Sequence, residues 1–440
     1  VIVLIDVLLA GFNTDNANWG CRATSLALDR LVSADARTVE RLPRAACDNP
    51  WPLFVAGPPL VDRPSMAWRL SARLGRSRAV TVAPLGRLAP LLDVVDEHPG
   101  PSADRMLTSA RVSRPVARLV DTIRAVDHVV INGEGSLILT APVRRDCAFF
   151  AALCALSARV GTRVHLVNAM VSLCPQVGER ALGEVYPWWH DVAAALDTMA
   201  VRDPSSWRLA AELGFPADCL RLVPDALFSL GRDDYGRPDV CLADLPGFGD
   251  EDETLSPGFG VTAEHVIALS GASTPRGDER RGWAAYLAEL ARRLAARLPD
   301  HQVVMAEACR GDGMLRQAAT EVGVPLVPCT TNVWAAGRLL AGSAAYVSGR
   351  YHPSILASLG GTPIVSFGSN SHKIAGLHEL LGSGAGEVGR IGRAPIDDVV
   401  DRVAAELSGG ADARGAARRD RAGRARSLGD QARAFYADLF

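Results

Sequence analysis

Short runs of β-branched and apolar residues alternate along the chain with longer stretches in which apolar positions recur every three or four residues. Continuous apolar runs suit the strands of a parallel sheet buried on both faces, and the 3.6-residue stripe suits the helices that cover it. The first half therefore predicts strands at Val1–Val7, Ala79–Ala83, Asp127–Asn132, Arg163–Asn168, Met199–Asp203 and Leu220–Asp225. Helices are expected between them at Cys21–Val32, Arg114–Val126, Asp146–Val160, Trp188–Leu196 and Pro204–Leu213. The second half restarts the alternation, with strands at His265–Ser270, Gln302–Ala306, Pro325–Val327, Ala344–Ser348 and Pro363–Phe367. Its helices are expected at Arg280–Arg297, Asp312–Val322, Val333–Ala341, Pro353–Leu359, His372–Leu381 and Pro395–Leu407.

Repeated βαβ units give an α/β chain with two doubly wound, Rossmann-like domains. A Gly-, Pro- and Asp-rich stretch, Gly231–Gly260, separates the two periodic regions and reads as a linker or long loop. The expected division is 1–235 for the first domain, 236–260 for the linker, 261–410 for the second domain and 411–440 for a C-terminal helix. That last segment is studded with arginine. It reads as a solvated helix face that can return across both lobes. Two such lobes place a ligand cleft between them, at the carboxyl ends of the strands.

Composition changes this picture little. The chain has 440 residues, 48% of them hydrophobic, and a formal charge of −2, which excludes bulk electrostatic binding of nucleic acid. Nine cysteines are scattered and form no C-x-x-C, which fits free thiols in a reducing cytoplasm and neither a disulfide frame nor a zinc site. No apolar run reaches the length of a membrane span. The apolar opening Val1–Ala10 contains Asp6 and lacks a basic leader, so it reads as a buried strand. Asp250-Glu251-Asp252 matches a D-x-D metal motif in form, but in an acidic, turn-rich loop it reads as a solvated charge run. No metal and no cofactor is expected. One count does matter: Lys373 is the only lysine among 47 basic residues. In a chain that otherwise uses arginine throughout, it marks a place where a compact ammonium is wanted.

Candidate chemistry gathers after strands. The first strand is followed by Asn18 and Gly20 just before a helix, with Arg22 in its first turn, a cap beside backbone able to approach an anion or sugar. Asn132-Gly133-Glu134-Gly135-Ser136 follows a later strand, and its carboxylate is placed to accept a proton from a substrate hydroxyl. Arg202 and Asp203 close another strand, and Asp225 follows the next; Asp203 reads chiefly as a helix N-cap. The densest cluster is Gly349-Arg350-Tyr351-His352-Pro353-Ser354. Proline suits a first helical position, so His352 is the expected N-cap, at the positive end of a helix dipole and suited to proton exchange. Arg350 offers a fork for carboxylate or phosphate. One strand later, Ser369, Asn370, Ser371 and His372 open a helix whose first turn holds Lys373, the pattern of an anion cradle.

These segments resemble the polysaccharide pyruvyl transferase family. The resemblance rests on Asn18-Trp19-Gly20, Gly133–Ser136, Val201-Arg202-Asp203, Val223-Pro224-Asp225, Gly349-Arg350-Tyr351-His352, Gly361-Thr362-Pro363, Lys373 and Gly376-Leu377. Two positions depart from the family's pattern: Glu134 stands where glycine is usual, and Tyr351 where an aliphatic is usual. The resemblance implies a GT-B-like pair of Rossmann domains and transfer of a pyruvyl group from phosphoenolpyruvate to a sugar, as a ketal across two hydroxyls. In that reading His352 is the general acid, and Arg350 and Lys373, with Ser369–His372, bind the anionic donor. Glu134 is the base. Asn18, Gly20, Arg22, Gly133, Gly135, Ser136 and Arg202 bind the acceptor, which is a sugar, a lipid-linked glycan or another small molecule. Two rivals remain open: a glycosyltransferase with its nucleotide diphosphate at Ser369–Ser371, and a non-catalytic sugar- or nucleotide-binding protein.

Overall fold

The computed structural model describes residues 5–14, 16–44, 98–111, 114–140, 143–174, 186–231, 263–273, 282–384 and 386–440, with residues 47, 95 and 183. The expected strand Ala79–Ala83, the linker 236–260 and Asp250-Glu251-Asp252 lie outside them.

The first lobe runs β1 (Ile5–Phe12), α1 (Trp19–Asp35), β2 (Ala36–Pro43), α2 (Pro99–Ser109), α3 (Arg114–Ala125), β3 (His128–Glu134), β4 (Ile138–Leu139), α4 (Arg145–Val160), β5 (Arg163–Ala169), β6 (Ser172–Leu173), α5 (Trp189–Ala195), β7 (Thr198–Val201), α6 (Pro204–Glu212) and β8 (Leu220–Leu222). Its six-stranded sheet has the order β2-β1-β3-β5-β7-β8, parallel at every pairing. The central strand β3 is buried at every residue, which is why the sequence there is a run without alternation. Helix ends follow local chemistry. Asn18 caps α1 by accepting from the amides of Gly20 and Cys21, Asp203 caps α6 by accepting from Ser206 N, and Gly161 ends α4 in the left-handed conformation.

The second lobe runs β9 (Val266–Ala272), α7 (Trp283–Arg297), β10 (Gln302–Ala306), α8 (Met314–Val322), β11 (Leu326–Val327), α9 (Val333–Gly342), β12 (Ala345–Gly349), α10 (Tyr351–Leu359), β13 (Ile364–Ser366), α11 (Lys373–Leu380), α12 (Ile396–Glu406) and α13 (Ala411–Ala437). Its five parallel strands have the order β11-β10-β9-β12-β13. Each sheet thus has one point at which the strand order reverses, between β1 and β3 in the first and between β9 and β12 in the second. Both lobes are Rossmann-like.

One expectation is corrected here. His352 is not the N-cap of its helix. Arg350 is, and α10 begins at Tyr351. Proline is tolerated anywhere in a first turn because those amides have no intrahelical acceptor, so Pro353 does not fix the start.

Two features join the lobes. A single apolar core runs from Trp19, Ala23 and Leu28 of α1 through Phe228 to Tyr346, Ile355 and Leu356 of the second lobe, and on to Leu428 and Tyr436 of α13. Helix α13 also crosses from one lobe to the other, and four of its arginines reach backbone carbonyls of the two lobes. Arg418 donates to the carbonyls of Gly360 and Ser343 at 2.9 and 3.2 Å and to that of Ala341. Arg421 donates to Gly361 O, Arg424 to Gly382 O and Arg433 to Ser229 O in the first lobe. These are carbonyls at helix ends, short of donors by construction. The arginine pattern therefore marks a clamp as much as a solvated face. Among the described residues no helix is long and apolar enough to cross a membrane.

Candidate active site

The points where strand order reverses deliver the side chains, as open α/β sheets require. The loop after β1 reaches across the gap. Trp19 N donates to Ala308 O at 3.0 Å, Arg310 N donates to Ala17 O at 3.2 Å, and Asn18 forms a β-bridge with Cys309. The ends of β1 and β3 thereby face the ends of β9, β12 and β13.

On the second-lobe side, Ser273 after β9 ties two cations together. Its hydroxyl oxygen accepts from Lys373 Nζ at 3.1 Å and from Arg350 Nη1 at 3.2 Å. Lys373 also donates to Asn370 Oδ1 at 2.9 Å. Arg350 is paired through Nη2 with the buried carboxylate of Asp312, and its Nε has no hydrogen-bond partner among the described residues. Burial, with the charges of Arg350 and Arg202 beside it, pushes the Lys373 amine down to about 7. Two cations so close, both partly buried, give the spot a strong preference for an anion.

His352 projects from the first turn of α10 toward the first lobe. Its Nε2 lies 3.2 Å from Asp225 Oδ2 and 2.9 Å from Nη1 of Arg202. Arg202 Nη1 donates to that same carboxylate oxygen at 2.9 Å, and its guanidinium lies over the Tyr351 ring, 4.3 Å from the centroid. Arg202, one of the residues expected to bind the acceptor, has its partners within the chain. It is buried, and its charge is spent on Asp225, His352 and Tyr351. Gly20 is required by the same contact, because a Cβ there would collide with the His352 side chain. The close backbone approach expected at Gly20 is made to this histidine.

Glu134 is buried beside α1. Its Oε1 accepts from Asn132 Nδ2 at 3.2 Å and lies 3.5 Å from Ser25 Oγ. Burial, with the Glu134 charge and hydrogen bond, pushes the Cys21 thiol well up, so it remains a donor to that carboxylate. Glu134 has a φ of +39°, in the left-handed region that side chains other than Asn and Asp seldom occupy. Glycine adopts it freely, and glycine is the family's usual residue at this position. The flanking glycines do not open backbone to a ligand as expected. A Cβ at Gly133 would press on Ala169, and Gly135 O is taken by Arg144 at 3.1 Å. Ser136 is buried with its hydroxyl unpartnered. Arg22 is also buried, its Nε donating to Thr14 O at 3.2 Å.

The cradle expected at Ser369–His372 forms one wall of a cleft of about 450 Å³, closed by Ser172, Leu173 and Leu209 of the first lobe and by Arg390. Its side chains serve the protein first. Asn370 receives Lys373, Ser371 lies on Met170 Sδ, and His372 Nε2 sits 3.1 Å from both Asp203 Oδ1 and Ser206 Oγ. Asp312 and Ser273 are site residues that the sequence reading does not single out; Asp225 is singled out there by its position directly after a strand, with no role assigned to it. Among the described residues no group of three or more His, Cys, Asp or Glu is arranged to hold a metal ion.

Comparison with solved structures gives the fold. The UDP-GlcNAc 2-epimerase of Neisseria meningitidis bound to UDP-GlcNAc matches with a TM-score of 0.53 at 10% identity, over 99% of each chain. A putative UDP-N-acetylglucosamine 2-epimerase from Listeria monocytogenes matches at 0.52 and 10% identity, over 99% of this chain and 94% of that one. The UDP-GlcNAc 2-epimerase of Methanocaldococcus jannaschii matches at 0.51 and 9% identity, over 92% and 93%. The two-domain α/β architecture is thus GT-B-like. No curated protein sequence matches the chain. The family model for polysaccharide pyruvyl transferase matches residues 103–371, more than half of the chain and including Glu134, Arg202, Asp225, Arg350 and His352. The chain belongs to the polysaccharide pyruvyl transferase family.

Proposed function

We propose that the protein transfers the pyruvyl group of phosphoenolpyruvate to two hydroxyls of a sugar or glycan, forming a ketal and releasing inorganic phosphate. The observation that carries this reading is the convergence of Lys373 and Arg350 on Ser273 beside His352. Phosphoenolpyruvate presents a phosphate and a carboxylate on a small frame. A half-buried ammonium and a guanidinium at the starts of the helices that follow adjacent strands suit that pair of anions.

In this reading His352 gives a proton to the methylene carbon C3. The C2=C3 electrons form the new C–H bond, and C2 becomes electron-poor. An acceptor hydroxyl attacks C2 and loses its proton to Glu134. A second hydroxyl attacks C2, the C2–O bond to phosphate breaks, and the second hydroxyl's proton leaves with the phosphate as hydrogen phosphate, which closes the ketal. The cleft walled by Ser172, Ser369, Asn370, Ser371 and the two leucines supplies hydroxyl and amide partners for the acceptor, and apolar surface for its C–H faces.

The test is phosphate release from phosphoenolpyruvate with and without candidate sugars. Release that depends on an acceptor, and falls at least 10²-fold in His352→Ala and Arg350→Ala, is the expected result. Turnover of a nucleotide sugar with phosphoenolpyruvate inert would establish the glycosyltransferase reading instead.

A further inference from the structure

The hydroxyl of Ser273 lies between two cations at the end of β9. Its oxygen accepts from Lys373 Nζ at 3.1 Å and from Arg350 Nη1 at 3.2 Å. A serine oxygen has two lone pairs and one hydrogen, so with both lone pairs taken it can only donate. Among the described residues that hydrogen has no acceptor. Its two neighbours also hold hydrogens in reserve. Lys373 gives one of its three to Ser273 and one to Asn370 Oδ1 at 2.9 Å. Arg350 Nε is buried without a hydrogen-bond partner among the described residues.

The surroundings hold Ser273 in this place. A Cβ at Gly271, two residues earlier, would overlap the Asp312 carboxylate, and a Cβ at Gly349 would press on Ala272. Asp312 in turn pairs with Arg350 Nη2. Ser348 Oγ donates to Gly271 O at 3.1 Å and accepts from Arg350 N at 3.0 Å. The end of β9 is therefore packed against the end of β12 and the start of α10, and Ser273 is the next residue along.

Resting on the reading of phosphoenolpyruvate as the donor, we propose that Ser273 is a further donor-binding residue, whose O–H donates to the phosphate group while Lys373 and Arg350 supply the charge. A carboxylate is flat, has two oxygens and is satisfied by one edge of a guanidinium. A phosphate monoester is tetrahedral, with three acceptor oxygens and close to two negative charges. It matches hydrogens carried by three separately placed groups, two of them cationic. The cations draw charge from the serine oxygen they bond, which makes its hydrogen a stronger donor. Burial, with Arg350 and Arg202 nearby, puts the Lys373 amine at about 7. Once an anion restores the ammonium, Lys373 can no longer accept, and the serine hydrogen is left to the ligand. As the C2–O bond breaks, its electron pair goes to the phosphate oxygen. Ser273 meets that charge through its hydrogen bond and keeps its own proton.

The experiment is titration calorimetry with inorganic phosphate on unaltered protein, Ser273→Ala and Ser273→Thr, with pyruvate, which carries the carboxylate alone, measured by its competition with phosphate. Ser273→Ala is expected to weaken phosphate about 10-fold or more and pyruvate less than about twofold, and Ser273→Thr, which keeps the hydroxyl, to recover phosphate binding to within about threefold. If Ser273 only ties the two cations together, its loss loosens both and weakens the two anions alike, and that result overturns the proposal. Phosphate binding unchanged in a folded Ser273→Ala protein overturns it too, as does unaltered protein that binds no phosphate. These titrations need no turnover. A chain that binds phosphate through Ser273 yet releases none from phosphoenolpyruvate would sink the pyruvyl reading and leave the phosphate site standing.

Discussion

Lys373 is a partly buried amine with two guanidiniums nearby, and its proton inventory follows from that. In the folded chain it releases its proton at about 7, against 10.5 for an ordinary lysine. Between those values the folded state binds fewer protons than the unfolded state, so this group adds stability as pH rises from about 7 toward 10.5. The gain is lost again as pH falls through 7. An anion placed beside the amine restores the ammonium. Binding of phosphoenolpyruvate at pH 8 to 9 is therefore expected to take up close to one proton, measured by calorimetry in buffers of different ionisation enthalpy. Lys373→Met should abolish the uptake, and an absence of uptake in the unaltered protein would mean that the amine is not the donor's partner. The lysine's importance was legible from composition, because it stands alone among arginines. Its pairing with Arg350 through Ser273 was not. That contact joins residues 77 and 100 positions apart, and no local spacing encodes it. Glu134 shows the opposite case. Its departure from the family's glycine was visible in the sequence, but only the backbone shows that a carboxylate has been placed in a glycine's conformation, at a cost of about 1–3 kcal/mol.

At the scale of elements, periodicity located most of the described helices and strands but not β2, α2 or the two-residue β4 and β6, and the reason for the successes is physical. Parallel strands buried on both faces leave continuous apolar runs, and covering helices leave stripes. Helix starts were harder. The Pro353 signal put the cap two residues late, and as a result His352 was expected to cap a helix rather than to reach the other lobe. The arginines of α13 were harder still, since a periodic basic stretch looks the same whether it faces water or carbonyls. Arg418 bonds the ends of α9 and α10 at Ala341, Ser343 and Gly360. Charge-assisted hydrogen bonds to such groups contribute about 1.5–3 kcal/mol each at most. Arg418→Ala is therefore expected to cost about 2–3 kcal/mol and to lower Tm by roughly 2–3 °C in a chain of this length. Arg419→Ala, one position along and exposed, should leave Tm within about half a degree. Thermal unfolding of the two variants side by side checks the clamp. Equal effects would return the tail to a solvated face.

For the molecule as a whole, two Rossmann-like lobes were readable from the doubled alternation of strands and helices, and the cleft between them followed from that. The continuity of the apolar core was not readable, because a buried leucine in a sequence does not say whose core it joins. That core has a consequence for how substrates come and go. Jaws joined by a flexible linker can swing apart. Here the joint is itself packed with Trp19, Leu28, Phe228, Tyr346 and Tyr436, and opening it would expose that surface to water at roughly 25 cal/mol per Å². The protein should act as a standing socket, entered through its mouth, whose shape is set before any ligand arrives. Small-angle scattering with and without phosphoenolpyruvate and acceptor should give the same radius of gyration to within about 1%, where a hinged pair of lobes would contract. A bulky glycan would then have to thread into place while the walls stay still, so its fit to the rim, rather than any closing motion, would decide which sugars are modified.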